Sequence, residues 1–405
     1  MEQFIGRYAT AIVYTDILDD SARNQLQQLC DQSFTEGCRI RIMPDVHAGT
    51  GCVIGFTADL GQRVIPNIVG VDIGCGMLTV GLGKTPLDLP RLDAVIREFI
   101  PAGQSIHETP AAEFEALEQL YCYRELHNLE RIQCSIGTLG GGNHFIEVDV
   151  DDDGNYYLVI HTGSRNLGTQ VADYYQQMAY DTLFGKIRVD ARRRELIARY
   201  KAEGRESELS AALLALKEEV IEATLPRSLC YLEGHGRELY LHDMAICQAY
   251  ADLNRRVIAD RILIHLLGRG LNSFPHFETI HNYIDIESNI IRKGAVSAKL
   301  GERLLLPINM RDGSLLCIGK GNPEWNCSAP HGAGRLFSRG AALERFSVEE
   351  FQQEMAGVYT TSVSSATLDE CPMAYKPMES IVRNVAPTVE IEKIIRPVYN
   401  FKAGS

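Results

Sequence analysis

Four short clusters of polar side chains flanked by glycine contain residue types that can do chemistry. They lie at residues 43–49, 71–76, 139–147 (continued by 160–165) and 329–335. Glycine at this density lets a backbone approach a ligand closely and leaves N–H groups free to bind anions. The sequence therefore predicts a ligand site assembled from these segments.

Carboxylate, thiolate and imidazole groups in these clusters form a candidate metal site. Asp72 and Cys75 are separated by two residues, and His144 and His161 each lie beside a predicted strand end, with His281 as a further candidate. This mixture of donors suits a transition metal such as manganese or zinc better than magnesium or calcium. A single cysteine among oxygen and nitrogen donors is also able to bridge two ions, as two-metal phosphoryl-transfer sites require.

Each of these residues also has a purely structural interpretation. A cysteine such as Cys75, between two glycines, is more often a small buried apolar residue than a ligand. His161 fits a hydrogen-bonded core histidine, and His47 fits the cap of a turn. His242 and His265 fall in predicted helices, where we expect structural or solvated roles. Only the joint pattern favours a metal site.

His331 is the candidate nucleophile. It lies in the sequence PHGAGR, where two glycines leave backbone donors exposed and Arg335 supplies a cation. A neutral imidazole attacks phosphorus, and the phosphoramidate formed stays reactive enough to pass the group on. A divalent ion together with Arg335 would stabilise charge on the phosphoryl oxygens. The alternative, a turn histidine before a helix, is equally compatible with the spacing.

The segments around these clusters have the pattern of short buried strands. Residues 30–82 are rich in glycine and β-branched residues, with apolar runs at 52–56 and 64–71. Residues 156–160 form another predicted strand, which ends in the polar 161–165 loop. Glycine turns and short strands return between residue 268 and about residue 339.

Helices are predicted mainly in the middle of the chain, at residues 111–129, 208–225 and 237–267. A further short helix is predicted to begin after Ser347, with Glu349 and Glu350 in its first turn. Strand-rich ends around a helical insert, without βαβ alternation, predict an α+β fold. We expect one large domain over residues 1–405, in which packed β-sheets are flanked by helices, with a mainly helical excursion at about residues 205–268.

The composition excludes several classes of protein. The 405 residues are 45% hydrophobic, no apolar run reaches the roughly 18 residues of a membrane span, and the 11 cysteines show no disulfide-scaffold spacing. The N-terminus has no secretory pattern, so we expect a soluble cytoplasmic protein. The 40 Lys+Arg against 53 Asp+Glu give a net charge of −13. Such a chain is a poor non-specific nucleic-acid binder, so any RNA must be held locally.

Five separated motifs together resemble the RtcB family of RNA ligases. They are MPDVHAG at 43–49, VGVDIGCGM at 69–77, GNHFIE at 142–147, RKGA at 292–295 and HGAGRLFSR at 331–339. Their order is that of the family, and they cover the chain from residue 43 towards its C-terminus. The resemblance implies a single α+β domain built around packed sheets.

The resemblance also implies an activity. Family members join RNA ends that carry a 3′-phosphate or 2′,3′-cyclic phosphate to 5′-hydroxyl ends, using GTP and manganese, in RNA repair or tRNA splicing. His331 would attack the α-phosphate of GTP, and the GMP would then pass to the RNA 3′-phosphate. The implied partners are RNA and GTP, with no membrane and no DNA, and an activating protein partner is left open.

Individual site residues follow from the motif matches. Two manganese ions would be held by Asp72, Cys75, His144, His161 and His281, with the Cys75 thiolate shared. Asp45 would be an active-site acid, and Arg165 would contact RNA phosphate. Nucleotide contacts would come from Asn143, His144, Phe145, Ile146, Glu147, His281, Asn282, Pro307, Ile308, Asn309, Met310, Ser314, His331, Gly332, Ala333, Gly334 and Lys402.

The chain departs from the family pattern at three places. Ile280 stands where many members have a second histidine, PINM at 307–310 replaces PGSM, and Ala329 and Pro330 replace Cys-Ser before the nucleophile. These departures predict a divergent short bacterial-type member with its own RNA preference.

Two other functions remain as alternatives. The first is a dinuclear metal phosphoesterase that opens cyclic phosphates without ligation, which would need neither GTP nor His331. The second is a non-catalytic binder of RNA ends, which would be indifferent to the loss of Cys75. The acidic net charge argues against the second.

Overall fold

The computed structural model describes residues 1–184, 186–221 and 225–404. The strands are β1 (Glu2–Ile5), β2 (Thr10–Val13), β3 (Ile40–His47), β4 (Ile54–Ala58), β5 (Gly76–Gly83), β6 (Phe145–Val150), β7 (Tyr156–Thr162), β8 (His276–Ile280), β9 (Asn282–Asp285), β10 (Ile290–Lys293), β11 (Ala295–Ser297), β12 (Arg303–Asn309), β13 (Gly313–Gly319), β14 (Ser328–Pro330) and β15 (Val389–Phe401). The helices are α1 (Asp20–Cys30), α2 (Pro66–Val69), α3 (Leu89–Phe99), α4 (Leu129–Cys134), α5 (Arg165–Phe184), α6 (Lys186–Ala202), α7 (Leu209–Ile221), α8 (Gly234–Leu267), α9 (Arg339–Arg345), α10 (Val348–Glu354) and α11 (Met378–Val385).

The strands form two large sheets and one short ladder. One sheet has the order β1-β2-β3-β4-β10-β9, in which only the β2–β3 pair is parallel. The other has the order β12-β13-β15-β6-β7-β5-β8 and is antiparallel throughout, and β11 pairs with β14 separately. The parallel pair β2–β3 is connected through α1, but every other described pair in the two large sheets is antiparallel, which confirms the predicted α+β fold.

The seven-stranded sheet is buried on both faces. Leu78 and Val80 of β5 pack in one apolar cluster with Ile262 of α8. Met77 and Val159 point to the opposite face, into a second cluster. This alternation follows from the period of two along a strand. Side chains on the face of Met77 and Val159 are therefore directed away from α8. The functional site lies on this face of the sheet.

Helix α8 connects the two large sheets. It has 34 residues, about 51 Å at 1.5 Å per residue. Its first half, including Tyr240 and Met244, packs with β3, β4 and α5. Its second half, including Ile258 and Ile262, covers the seven-stranded sheet. One rigid element therefore fixes the position of both sheets relative to each other.

Several predicted helices are present, with changed limits. The predicted helix at 237–267 is confirmed as α8, and Ser347 caps α10 with Glu350 in a reciprocal capping box. The predicted helix at 208–225 corresponds to α7, although residues 222–224 lie outside the described residues. The helical part of the chain begins at α5, well before residue 205, because α5 and α6 follow β7 almost directly.

Two predictions of local structure are wrong. Residues 111–129 contain only the 3₁₀ turns Glu115–Gln119 and Tyr123–Glu125 rather than an α-helix. The buried carboxylate of Asp243 accepts the backbone N–H groups of Tyr121 and Cys122, at 3.0 and 3.1 Å, which withdraws them from helical hydrogen bonds.

The second error is the predicted strand at 64–71. This segment contains the short helix α2, which begins at Pro66 and ends before Gly70. Proline is pre-organised for the first position of a helix, and Gly70 has a φ of 100°, so the two residues fix both ends. Among the described residues, no helix is long and apolar enough to cross a bilayer.

Candidate active site

The chemical side chains converge at one end of the seven-stranded sheet. Here β5 begins while its neighbours β7 and β8 end, because both are antiparallel to it. Cys75 precedes β5, and His161 of β7 lies opposite Met77 and Phe145. The N–H of His281, which follows β8, donates to the carbonyl of Cys75 at 2.9 Å. Antiparallel register thus assembles residues that are far apart in the sequence.

Two buried polar residues of α8 hold the loops that carry these side chains. The guanidinium of Arg255 donates to the carbonyls of Gly74 and Thr162, at 2.9 and 3.0 Å. Asn254 accepts the N–H of Thr138 and donates to Gly163, so it connects the loops before His144 and after His161. The helix therefore fixes the loops on both sides of the site from behind.

Two groups of candidate metal ligands share Cys75. One consists of Cys75, His161 and His281, and the other of Asp72, Cys75 and His144, and the ligand atoms within each group lie within 4.8 Å of one another. The Cys75 Sγ atom is 3.5 Å from His144 Nε2 and 3.4 Å from His161 Nε2. All five predicted metal ligands are therefore brought together, with the thiol between the two groups.

The protonation of the imidazoles shows that the donor set fits a cation. His161 Nδ1 lies 3.2 Å from the carbonyl of Asn143 and donates its proton there, which leaves a lone pair on Nε2. His161 Nε2 lies 3.4 Å from His281 Nε2 and close to the thiol of Cys75. Burial, and then neighbouring imidazoles, hold the pKa of both His161 and His281 well below the ordinary value. Neutral rings with converging lone pairs are the state in which histidine binds a metal.

Cys75 also fits this role. Burial, and then the negative charge of Asp72, raise the pKa of the Cys75 thiol well above its ordinary value. An isolated thiol here would stay protonated, but a bound cation deprotonates a coordinating thiol. Asp72 is fixed beside it, because Asp72 Oδ1 accepts the N–H of Ser164 at 3.0 Å.

His331 lies directly beside this cluster. Its ring centroid is 4.8 Å from that of His281. The Oδ2 atom of Asp45 lies 2.6 Å from His331 Nδ1 and accepts the His331 backbone N–H at 3.0 Å. A carboxylate can only accept, so Nδ1 carries the proton and Nε2 is the nitrogen with a free lone pair. The hydrogen bond therefore leaves Nε2 as the ring nitrogen that is able to act as a nucleophile.

The loop after His331 packs against the strand that carries Asp45. Gly334 has a φ of 75°, and a Cβ atom there would lie 2.2 Å from the carbonyl oxygen of Asp45. No side chain fits at this distance, so only glycine permits the approach that lets Asp45 reach His331.

Replacing Gly334 with alanine is expected to lower the rate of covalent nucleotide transfer to His331 by about tenfold or more, since a 1 Å displacement of a reacting group costs up to about 10²-fold. The rate of label incorporation from α-labelled GTP measures this. Gly340→Ala is the matched control, because a Cβ atom at Gly340 meets nothing within 4 Å. An unchanged rate in folded Gly334→Ala would show that the approach is not needed.

A cavity of about 830 Å³ opens in front of His331 and the ligand cluster. Most of the predicted site residues line it: Asp72, Cys75, Asn143, Phe145, Glu147, His161, His281, Asn282, Pro307, Ile308, Asn309, Met310, His331, Gly332, Ala333, Gly334 and Lys402. Asp45 and His144 do not line the cavity themselves, but Asp45 contacts His331 and His144 contacts Cys75. A volume of this size accommodates a nucleotide.

Three predicted residues lie elsewhere. Ile146 points to the opposite face of the sheet and is buried in the core beside α8. Ser314 is buried in β13, and its hydroxyl has no hydrogen-bond partner among the described residues. Arg165 lines a second cavity of about 420 Å³, which also reaches Asp72. Gly140 makes room for Arg165, whose guanidinium would overlap any Cβ atom there.

The sequence analysis missed part of the cavity wall. Glu370, Tyr375 and Asn400 line it, and none lies in a glycine-rich motif that would have pointed to it. Arg335, the predicted cation beside His331, forms an ion pair with Glu370 at 3.2 Å. Glu370 also pairs with Lys402 at 2.8 Å, so the charges at this end of the cavity are largely compensated.

The sites of departure from the family pattern are accommodated locally. Asn309 Oδ1 accepts the N–H groups of Arg311 and Asp312, at 3.0 and 2.9 Å, and so closes the turn between β12 and β13. Pro330 ends β14, opposite Ala295 of β11. The register between β12 and β13 shifts between Pro307 and Asn309, so the departure at 307–310 coincides with an irregularity at the end of β12.

Comparison with known proteins agrees with this geometry. A family model described as tRNA-splicing ligase RtcB matches residues 25–120 and 115–403. The chain belongs to the RtcB family. The matched region includes every glycine-flanked cluster and both groups of candidate ligands.

Individual RtcB proteins are similar over most of their length. The RNA-splicing ligase RtcB of Escherichia coli K12 is 30% identical over 94% of this chain and 94% of its own. The tRNA-splicing ligase RtcB of Pyrobaculum aerophilum is 26% identical over 88% of this chain and 85% of its own. The RNA-splicing ligase RtcB of Mycobacterium tuberculosis is 27% identical over 84% and 90%, respectively. The similarity therefore extends across the whole RtcB fold rather than one segment.

Proposed function

We propose that this protein, an RNA ligase of the RtcB family, joins RNA 3′-phosphate or 2′,3′-cyclic phosphate ends to 5′-hydroxyl ends, using GTP and two manganese ions. The observation that carries the proposal is the hydrogen bond of 2.6 Å between His331 Nδ1 and Asp45 Oδ2 beside the cluster of candidate ligands. This hydrogen bond leaves the other imidazole nitrogen available to attack phosphorus at the wall of a nucleotide-sized cavity.

The candidate ligands divide between two ions. Cys75, His161 and His281 would hold one ion, and Asp72, Cys75 and His144 the other. When bound, the ions would neutralise charge that develops on phosphoryl oxygens and help to orient the phosphates. One thiolate, one carboxylate and three imidazoles form a donor set for a divalent transition metal, and manganese is the metal that the family resemblance implies.

His331 would carry the nucleotide between two transfers. Its Nε2 lone pair attacks the α-phosphorus of GTP, forms an N–P bond and displaces pyrophosphate. The Nδ1 proton stays on the ring, and the Asp45 carboxylate stabilises the positive charge that the ring acquires. An oxygen of the RNA 3′-phosphate then attacks the same phosphorus and breaks the N–P bond. In the last step the 5′-hydroxyl attacks the RNA phosphate and releases GMP.

The far end of the cavity supplies groups that suit guanine. Glu147 is a buried carboxyl whose Oε2 accepts from Asn400 at 2.6 Å, and the ammonium of Lys402 lies over the ring of Phe145. Guanine offers adjacent N–H donors for a carboxylate and a carbonyl acceptor for an ammonium, whereas adenine offers neither in that arrangement. Burial raises the pKa of Glu147 to about 7, and N–H donors from a bound base would favour the ionised carboxylate.

The second cavity is the proposed place for RNA. Arg165 and Arg131 line it, and Asp72 lies at its boundary with the candidate metal centre. Two guanidinium groups in one cavity suit a phosphodiester, and they supply local positive charge in a chain whose net charge is −13.

A ligation assay tests this function. An RNA strand with a labelled 3′-phosphate is incubated with a 5′-hydroxyl strand, manganese and GTP, and the products are resolved by size. We expect a joined product in which the label resists phosphatase, and no product without GTP. Opening of a cyclic phosphate without GTP and without joining would instead favour the phosphoesterase.

A further inference from the structure

A buried lysine lies behind the nucleophile, outside the cavity. Lys376 is only 2% exposed, and its ammonium does not line the nucleotide cavity. Nζ donates to the carbonyl oxygens of Pro44 at 2.9 Å, Val46 at 3.0 Å and Ile17 at 3.3 Å. All three donor positions of the ammonium are therefore used by backbone, and none is left for a substrate.

Two of the three carbonyls that Lys376 binds, those of Pro44 and Val46, belong to the residues on either side of Asp45. Asp45 is completely buried, and its Oδ1 atom has no hydrogen-bond partner among the described residues. A buried carboxylate is stable as an anion only when a nearby positive charge compensates it. The ammonium of Lys376 supplies that charge through its electrostatic attraction to Asp45. Asp19 and Asp16 also attract the same ammonium. Lys376 therefore fixes both the backbone and the electrostatic environment of Asp45.

The same residue also contacts the nucleophile loop. The backbone N–H of Lys376 donates to the carbonyl of Gly334 at 3.0 Å. Gly334 lies against Asp45. Arg335, which follows Gly334, forms an isolated β-bridge with Tyr375, which precedes Lys376. Lys376 thus connects the strand that carries Asp45 with the loop that carries His331.

We propose that Lys376 is a positioning residue that acts through Asp45 to keep His331 in its reactive tautomer and place. This inference rests on the proposed function, in which His331 accepts the nucleotide. Lys376 neither touches the reacting atoms nor takes part in proton transfer. Its role is to keep the Asp45 carboxylate pointed at His331 Nδ1.

Replacing Lys376 with methionine tests the proposal, because methionine keeps most of the side-chain volume and removes the charge. We expect the maximal rate of nucleotide transfer to His331 to fall by about 10²-fold. The GTP concentration that gives half of the maximal rate should change less than about threefold, since Lys376 does not line the cavity. Lys320→Met is the matched control, because the Lys320 ammonium also binds a backbone carbonyl, that of Ala386, but is exposed. It should leave the rate unchanged.

A double substitution separates positioning from general stability. If Lys376 acts through Asp45, adding Lys376→Met to Asp45→Asn should lower the rate by less than about threefold beyond Asp45→Asn alone. A lysine that only stabilises the fold would add its full effect to that of Asp45→Asn. If Lys376→Met lowered the rate by the same factor with and without Asp45→Asn, the proposal would be overturned. Near-ultraviolet circular dichroism confirms that each variant is folded.

A spectroscopic measurement decides the question without catalysis. ¹⁵N-histidine spectra of the metal-free protein distinguish the two imidazole tautomers, and His331→Ala identifies the signals of His331. We expect the Nδ1–H tautomer in the original protein and loss of that preference in Lys376→Met. If the original protein forms no nucleotide adduct, the proposed function fails, and these spectra still test Lys376. An unchanged His331 tautomer in Lys376→Met would overturn the positioning role.

Discussion

Replacing His331 with alanine is expected to abolish both nucleotide transfer to the protein and RNA joining, with a loss of on the order of 10⁴-fold or more. The reason is that, among the described residues of the proposed reaction centre, the His331 ring has a free nitrogen whose tautomer a buried carboxylate fixes. Removing it leaves Asp45 without its side-chain partner but leaves the candidate ligands in place. The rate of RNA joining from 3′-phosphate ends measures the effect.

A histidine far from the cavity provides the control for this substitution. The side chain of His235 is 81% exposed near the start of α8, so His235→Ala should retain the original joining rate. Activity with preformed RNA–guanylate ends offers a second readout, because the last displacement does not need His331 to carry the nucleotide. His331→Ala should keep part of that activity. Persistent labelling of His331→Ala by α-labelled GTP would mean that another residue is the nucleophile.

Replacing Cys75 with serine is expected to reduce the bound manganese from two ions to fewer than one per chain after gel filtration. Cys75 belongs to both groups of candidate ligands, and a serine hydroxyl is not readily ionised at neutral pH. His144→Ala changes only one group, so it should lose one ion and retain the other. Metal analysis by mass spectrometry gives the stoichiometry directly.

A second cysteine provides the matched control. Cys38 is half-buried, and its thiol contacts the carbonyl of Phe34 rather than any candidate ligand. Cys38→Ser should therefore retain both ions. If Cys75→Ser also retained both ions, the thiolate would not be the shared ligand, and the assignment of the two groups would be wrong.

Much of the candidate site could be predicted because its chemistry is local in sequence. Asp72 and Cys75 lie in one glycine turn, and the structure brings them together with histidines from three other segments. What each of these residues binds remains a prediction. The positions of the strands could be inferred only approximately, yet antiparallel register aligns their ends, and that alignment assembles the cluster.

The features that could not be predicted depend on contacts between distant parts of the chain. The 3₁₀ turns after residue 114 form because Asp243, more than a hundred residues later, binds their backbone. Glu370 and Lys376 lie in a segment without glycine, so no glycine-flanked motif marks Glu370 as a neighbour of Lys402 or Lys376 as a neighbour of Asp45. Ile146 is the reverse case. It lies within a motif and is predicted to contact the nucleotide, but its side chain faces the core.

Peptide mapping of the protein after incubation with GTP and manganese tests the central claim most directly. The protein is digested under mildly alkaline conditions that preserve phosphoramidates, and the modified peptide is fragmented in a mass spectrometer. The account predicts a single guanylate on the imidazole of His331, released as free GMP by acid. A guanylate on a lysine or another residue, or no modified peptide while RNA joining proceeds, would contradict it.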